Sequence, residues 1–328
     1  MDTLVVDSID KINLVYFTDV HLADKPPGRR RDNYRETILG KLAFASAIAN
    51  KINGVGICGG DFFHIKNPKS NSHRLVSDAI ESCMSFPQKC IWGVVGNHDI
   101  LEDNHDSIHN QPLGVLLDAG VYRNLNKSLM IKSKDGSQSV QIVGFDYQDS
   151  ETTLQAVKDF KLEEADYHVA VIHQMSAPGS GGDFFGEKII GYNELAGLGY
   201  DIVLWGHDHS RIEPTLVGNT RHLHYGSLSR ASLSSDEVDR PVIIPVLSFS
   251  KDGIKIIEKE VPTDPIEVVF NVGDKIVRSV GKDSEFKDFL ADIEDQVSEI
   301  ESDDPVEIVE ALTQDKDVVD LIKDYCEL

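Results

Sequence analysis

The chain has 328 residues and a mass of 36.3 kDa, which suffices for one large domain or for a core domain with an appendage. It is 41% hydrophobic and 27% charged, with a mean hydropathy of -0.22, and this composition excludes a disordered, collagen-like or membrane-embedded chain. Its formal net charge of -23 at pH 7 excludes a protein that is basic throughout and binds nucleic acid by overall charge.

Short apolar runs rich in β-branched residues predict buried strands, most of which end on polar or glycine-rich residues. In chain order they cover residues 14–17, 55–58, 91–95, 140–145, 169–172 and 202–205. Helical patterns at 36–51 and 72–86 lie between some of these runs. Alternating strands and helices predict an α/β core.

After Arg221 the pattern changes to strand-like segments at 222–225, 242–249 and 254–261, which we expect to form a second sheet against the first. Pro262 and Pro265 then interrupt the chain, and a β-like stretch follows at 266–270. Residues 281–328 hold 17 acidic residues against four lysines, and 283–328 has the spacing of amphipathic helices. The sequence therefore predicts a core domain over 1–262 and an acidic C-terminal segment over 263–328.

Residues of metal-ligand type follow five of the predicted strands. The carboxyl ends of strands in an α/β sheet meet at one crevice, so these residues predict a single site. Their oxygen and imidazole ligands, without cysteine, suit Mn, Fe, Co or Zn, and they exceed the needs of one tetrahedral ion. Two ions that share a carboxylate use the whole set. The candidate ligands are Asp19, His21, Asp61, Asn97, His173, His207 and His209.

These motifs resemble the calcineurin-like metallophosphoesterase superfamily, whose pattern D-x-H, G-D, G-N-H-D/E, H and G-H-x-H is met over about residues 11–230. His64, three residues after Asp61, is similar to its counterpart in the SbcD-type DNA nucleases, the partners of SbcC-type ATPases. Residues 110–114 and 225–230 also resemble that branch. The Asp-Arg-Gly element of protein serine/threonine phosphatases does not follow Asp61.

The resemblance implies a four-layer metallophosphoesterase sandwich, with two mixed β-sheets flanked by helices and a small C-terminal cap or helical appendage. It implies two divalent ions with Asp61 as the bridging ligand. Mn is the ion that the family implies, while the residues themselves also accommodate Mg, Fe, Co or Zn. The resemblance also implies how the ligands divide: Asp19, His21, Asp61 and His209 for the first ion, and Asp61, Asn97, His173 and His207 for the second.

Hydrolysis by a hydroxide held between the two ions needs no protein nucleophile. His98 is then expected to stabilise the charge on the phosphorane or to protonate the leaving oxygen, with Asp99 orienting its ring. We expect His64 to position the phosphodiester, and the alternative is a place behind the ligands without substrate contact.

A basic run of Arg29, Arg30 and Arg31 follows the first metal motif, and Arg230 ends the last matching segment. A basic loop beside the metals would neutralise backbone phosphates, so these arginines are predicted to bind substrate. A solvated loop is the alternative for the run.

The leading functional hypothesis is a metal-dependent DNA nuclease, exonuclease and endonuclease, that works with an SbcC-like SMC-type ATPase in recombination, repair or replication. The charge of -23 counts against DNA binding, but -13 of it lies in residues 281–328, and an ATPase could supply a DNA-binding surface. One alternative is a nucleotide or small-molecule phosphodiesterase of the same superfamily, which the acidity suits. Another is a non-catalytic interaction subunit.

The acidic segment is expected either to bind the ATPase or to pack on its own core, and family analogy suggests a homodimer. The sequence shows no signal-peptide pattern and no apolar run of membrane-spanning length. We therefore expect no membrane association and a cytoplasmic location, in a bacterium or a phage-infected host.

Overall fold

The computed structural model describes residues 1–184, 187–232 and 240–270. The strands are β1 (Asp2–Val6), β2 (Lys11–Phe17), β3 (Val55–Cys58), β4 (Ile91–Gly93), β5 (Tyr122–Asn124), β6 (Leu129–Ser133), β7 (Ser139–Phe145), β8 (Tyr167–His173), β9 (Ser176–Ala177), β10 (Gly182–Phe184), β11 (Glu187–Gly191), β12 (Ile202–Gly206), β13 (Ile212–Val217), β14 (Thr220–His224), β15 (Ile243–Ser250) and β16 (Gly253–Glu260). The α-helices are α1 (Tyr34–Ile52), α2 (His73–Met84), α3 (Pro112–Asp118), α4 (Ser150–Asp159) and α5 (Ile266–Val269).

Two large mixed sheets form the centre of the fold. The first has the order β16-β15-β2-β3-β4-β5, in which β2 to β5 run parallel while β15 and β16 are antiparallel to their neighbours. The second has the order β1-β6-β7-β8-β12-β14-β13, with a parallel block from β7 to β14. The parallel strands of each sheet end on the same side of the sheet. The loops that follow them hold the predicted ligands.

The side chains of each strand alternate between two apolar layers. In β2, Leu14 and Tyr16 face the layer between the sheets, whereas Val15 and Phe17 face the layer under the helices. Helices α1 to α3 cover the first sheet, and α4 packs on the outer face of the second. The layer order is therefore helix, sheet, sheet, helix, which confirms the predicted α/β arrangement of two mixed sheets flanked by helices.

Helix α1 buries one apolar stripe and ends at a residue suited to a left-handed turn. Ile38, Leu42, Ala45 and Ala49 are buried at the spacing of a helix face. Asn53 then takes a φ of 49° and donates its backbone N–H to the Ala49 carbonyl, which closes the last turn. The prediction of a helix over 36–51 is confirmed.

Two predictions from the later part of the chain are wrong. The strands after Arg221 do not form a separate sheet, because β14 extends the second sheet while β15 pairs with β2 in the first. The stretch 266–270 begins with the helix α5 rather than a strand. Tertiary contacts outweigh its β-branched composition: Arg31 donates to the carbonyls of Glu267 and Val268 within this turn.

Of the predicted acidic C-terminal segment over 263–328, residues 271–328 lie outside the described residues. None of the helices in the three described ranges has the length and apolarity needed to cross a bilayer.

Candidate metal centre

The loops after β2, β3 and β12 place metal-ligand side chains in strained backbone conformations. Asp19, His21, Asp61 and His207 have φ values of 51°, 47°, 49° and 92°. Left-handed φ in a residue other than glycine costs about 1–3 kcal/mol and persists where the surroundings enforce it. Four such residues at neighbouring strand ends indicate a site whose side-chain directions are set by the fold.

The first ligand group consists of Asp19, His21 and His209. The Nε2 atoms of His21 and His209 are 2.9 Å apart, and they lie 4.0 and 3.8 Å from Asp19 Oδ1. Tyr34 donates its hydroxyl to the His21 carbonyl at 2.7 Å, which fixes the loop that carries this ring. A carboxylate and two imidazoles thus converge on one point.

The second ligand group consists of Asp61, Asn97, His173 and His207. Asn97 Oδ1 lies 3.2 Å from His173 Nε2 and 3.0 Å from His207 Nδ1. His173 Nε2 is also 3.4 Å from Asp61 Oδ2. Because His173 Nδ1 donates to the Gly59 carbonyl at 2.7 Å, its other ring nitrogen is the one directed at the group.

Asp61 lies between the two groups. Its Oδ2 atom is 3.7 Å from His21 Nε2 and 3.4 Å from His173 Nε2, while its Oδ1 atom accepts the His98 backbone N–H at 2.9 Å. A Cβ atom at Gly96 would overlap the Asp61 carboxylate, so only glycine fits there. This is the placement that a carboxylate shared by two ions requires.

Burial and mutual charge shift the pKa values of these groups strongly. Burial raises the pKa of Asp19, and it lowers the pKa of His207 to about 3 together with the charge of His173. Burial opposes ionisation of Asp61 and of His173, but their mutual attraction outweighs it, so the pKa of Asp61 falls well below its usual value and that of His173 rises to about 9. Buried carboxylates among inward-facing imidazoles are a donor set that fits divalent cations.

A third cluster of imidazoles lies beside the first ligand group. His64 Nδ1 is 3.3 Å from His21 Nδ1, and the His64 and His98 rings stack with centroids 5.5 Å apart. His98 Nδ1 donates to the His64 carbonyl at 2.7 Å. The structure thus brings both predicted catalytic histidines next to the ligands, with His64 touching the far nitrogen of His21.

Asp99 does not orient His98, which corrects the sequence-based role. Its carboxylate accepts the backbone N–H groups of Phe62, Phe63 and Gly96 at 3.0 to 3.3 Å. The carboxylate therefore ties the Asp61 loop to the Asn97 loop, and burial together with the nearby Asp61 charge raises the pKa of Asp99 to about 7.

The predicted substrate-binding arginines have different surroundings. Arg30 is buried, donates to the carbonyls of Ser229 and Arg230, and forms a forked ion pair with Asp32. Arg230 is buried and donates to the Asp264 carbonyl, while Arg31 binds the end of α5. Arg30 and Arg230 are thus bonded to main-chain carbonyls within the fold, and their contact with substrate stays a prediction. Arg29 is exposed.

Tyr147 is a residue at the site that the sequence reasoning missed. Its half-buried ring lies 5.3 Å from the His207 ring and 6.2 Å from the His173 ring, between centroids. The preceding residue, Asp146, is buried and accepts the Val95 N–H at 2.8 Å. The signal was available, because both residues follow a predicted strand as the ligands do.

Comparison with solved structures finds similar chains at low identity. TT1561 of Thermus thermophilus is 12% identical, with 76% of this chain and 99% of that chain covered and a TM-score of 0.43. The purple acid phosphatase PPD1 of yellow lupin (Lupinus luteus) is 14% identical, with 77% and 52% covered and a TM-score of 0.48. GAP50 of Plasmodium is 13% identical, with 86% and 95% covered and a TM-score of 0.46.

No curated protein matches the chain. The family model described as calcineurin-like phosphoesterase matches residues 12–211, the region that carries every predicted ligand. The chain belongs to the calcineurin-like phosphoesterase family.

Proposed function

We propose that this phosphoesterase is a Mn-dependent DNA nuclease, with exonuclease and endonuclease activity, and that it acts as the nuclease subunit beside an SbcC-like SMC-type ATPase. Family membership supports hydrolysis of phosphoesters with divalent metals, and DNA as the substrate is the proposed refinement. The observation that carries it is the stacked His64–His98 pair against the first ligand group.

The two groups of side chains are suited to hold two divalent ions. Such ions, when bound, activate a water molecule and neutralise the charge of the phosphate. Asp61 reaches both groups through one oxygen and is held by the His98 N–H through the other. The carbonyl of His64 holds the Nδ1–H of His98, which sets the ring so that Nε2 is the nitrogen that exchanges a proton with substrate.

A proton donor matters for a phosphodiester of DNA because the leaving group is an alkoxide. A sugar hydroxyl leaves poorly without a proton, and a positioned imidazole contributes about 10²–10⁴-fold to such a step. His98 is held by main chain rather than by a flexible side chain, so its direction is set before substrate binds. We assign the general-acid role to His98.

A second candidate is hydrolysis of nucleotides or other small phosphodiesters. The net charge of -23 favours it, and so does the burial of Arg30 and Arg230 within the fold. A small diester needs no extended basic surface, whereas DNA binding depends on phosphate neutralisation.

The test is degradation of end-labelled linear double-stranded DNA by the purified protein with Mn, Mg or EDTA. Asp61→Ala and His98→Ala are compared with His168→Ala, whose ring donates to the Glu163 carbonyl in another part of the fold. We expect Mn-dependent shortening that both site variants lose and the control retains. Cleavage of bis-(p-nitrophenyl) phosphate without cleavage of DNA, also in the presence of a candidate ATPase, would favour the second candidate.

A further inference from the structure

Residues 227–230 form a short segment, here called the strap, that lies along the first ligand group. Its backbone N–H groups bind the loops that carry two of the ligands. Ser227 donates to the His209 carbonyl at 3.2 Å, and Ser229 donates to the Asp19 carbonyl at 3.2 Å. Leu228 donates to the Thr18 carbonyl at 2.9 Å, next to Asp19. The strap therefore joins the Asp19 loop to the His209 loop.

The opposite side of the strap is held by three cationic side chains. Arg240 Nη2 donates to the carbonyl of the first strap residue at 2.8 Å. Lys41 Nζ donates to the carbonyls of residues 228 and 229 at 2.6 and 2.8 Å. Arg30 Nη1 donates to the carbonyls of residues 229 and 230 at 3.0 and 2.7 Å. Four consecutive carbonyls thus accept hydrogen bonds from cations.

These cations come from three separate parts of the chain and are all buried. Arg30, Lys41 and Arg240 are 6%, 4% and 7% exposed. Taking a cation out of water is costly unless it is well bonded, and hydrogen bonds from a charged donor are about twice as strong as neutral ones. Asp32 and the ring of Tyr34 further fix Arg30. The placement of three buried cations on one strap indicates that the strap must be held rigidly.

We propose that Arg30, Lys41 and Arg240 are positioning residues for the first ligand group. Through the strap they fix the main chain of Asp19 and His209, and so the directions of these two side chains. The proposal rests on the use of this group to bind a metal, as in the proposed function. The proposal gives Arg30, the buried arginine of the basic run, a role in holding the main chain inside the protein.

Two members of the second ligand group, His173 and Asn97, are anchored by other elements, whereas His207 shares a loop with His209 and donates its backbone N–H to the Asp19 carboxylate at 3.2 Å. His173 belongs to β8 and is paired with Gly206 of β12 in the sheet ladder. The Asn97 loop is held by Asp99 through the Gly96 N–H. Loosening the strap should therefore weaken the first ion more than the second.

The test is calorimetric titration of the metal-free protein with Mn. Lys41→Met and Arg240→Met remove a cation from the strap, and Arg240→Lys keeps one there. The matched control is Arg35→Met, also on α1, where Arg35 forms ion pairs with Asp24 and Asp78. We expect wild type and control to bind two ions. In the two methionine variants, the affinity for one ion should fall about 10- to 100-fold, and the affinity for the other should fall less. Arg240→Lys should recover most of the loss.

Equal weakening of both ions, or two unchanged ions in both methionine variants, would overturn the proposal, as would a wild type that binds no Mn. If Lys41→Met does not fold, the Mn affinities of Arg240→Met and Arg240→Lys decide whether the proposal holds. A wild type that binds two ions but cleaves no DNA would refute the proposed function and leave this proposal to be judged by the titration.

Discussion

The Nδ1 atoms of His64 and His21 lie 3.3 Å apart, in rings that meet edge to face. One of these two nitrogens must carry the proton and the other must accept it. If Nε2 of His21 binds an ion, its Nδ1 is protonated and donates to His64. His64 then supports a ligand from behind, which is the alternative that the sequence left open for this residue.

Replacement of His64 should therefore change metal binding as well as catalysis. We expect His64→Leu to weaken the first ion about 10- to 100-fold, because His21 loses the acceptor that orients it. His64→Asn places an oxygen near the former Nδ1 position and should restore most of the affinity. Calorimetric titration with Mn measures both variants. Wild-type affinity in His64→Leu would show that the contact does not orient the ligand.

His98→Ala should slow hydrolysis most for the substrates whose leaving group departs least readily. With DNA or a dinucleotide we expect a loss of about 10²–10⁴-fold in kcat, because the alkoxide loses its proton donor. With bis-(p-nitrophenyl) phosphate the loss should be small, because nitrophenolate leaves without a proton. Steady-state rates on both substrates test this, with His168→Ala as the control. An equal loss on both substrates would argue for a role in binding or charge stabilisation.

Asp99 should make the stability of the metal-free protein depend on pH. Its pKa rises from 3.8 to about 7 on folding, so between these values the folded protein holds the proton more tightly than the unfolded chain does. Stability should therefore fall as the pH rises from about 4 to 7. In Asp99→Asn we expect this slope to decrease by up to about 1.4 kcal/mol per pH unit. Urea unfolding in EDTA at pH 5, 6 and 7 measures it, and identical slopes would contradict the assignment.

Removal of metal should destabilise the wild type but not a variant at the shared carboxylate. Ligand binding to the folded state adds roughly 2.7 kcal/mol when the free ion is 100-fold above its Kd. Because Asp61 reaches both groups, Asp61→Ala should lose both ions and show the same Tm with Mn and with EDTA. Thermal unfolding in the two conditions checks this. A Tm increase with Mn in Asp61→Ala would mean that one group binds without Asp61.

The parts of the site that the sequence predicts are those that depend on strand ends. An apolar run that stops at Asp19 or Asn97 marks both the strand and the point where its side chains reach the sheet edge. The structure places these residues together because the parallel strands of both sheets end at one edge. The helix over α1 was equally predictable, since its apolar stripe is continuous.

The parts that the sequence did not predict depend on contacts between distant segments. Asp99 is next to His98 in sequence, yet its carboxylate turns to main-chain N–H groups of Phe62 and Phe63. Arg30 lies in a basic run typical of a phosphate-binding loop, but Ser229 and Arg230 draw it into the interior. Neither contact can be recognised from the neighbouring sequence, because each depends on loop directions that the packed sheets set.

The pairing of β2 with β15 sets Lys11 opposite Ser250, so the order of synthesis matters for assembly. While the ribosome is still making the segment before residue 243, the β2 edge that precedes the Asp19 loop has no partner, and the strap has not yet met Arg240. Contacts so distant in sequence slow folding. A chain cut at residue 211, the end of the family match, would expose that edge to other chains, and we expect it to aggregate rather than yield a minimal enzyme.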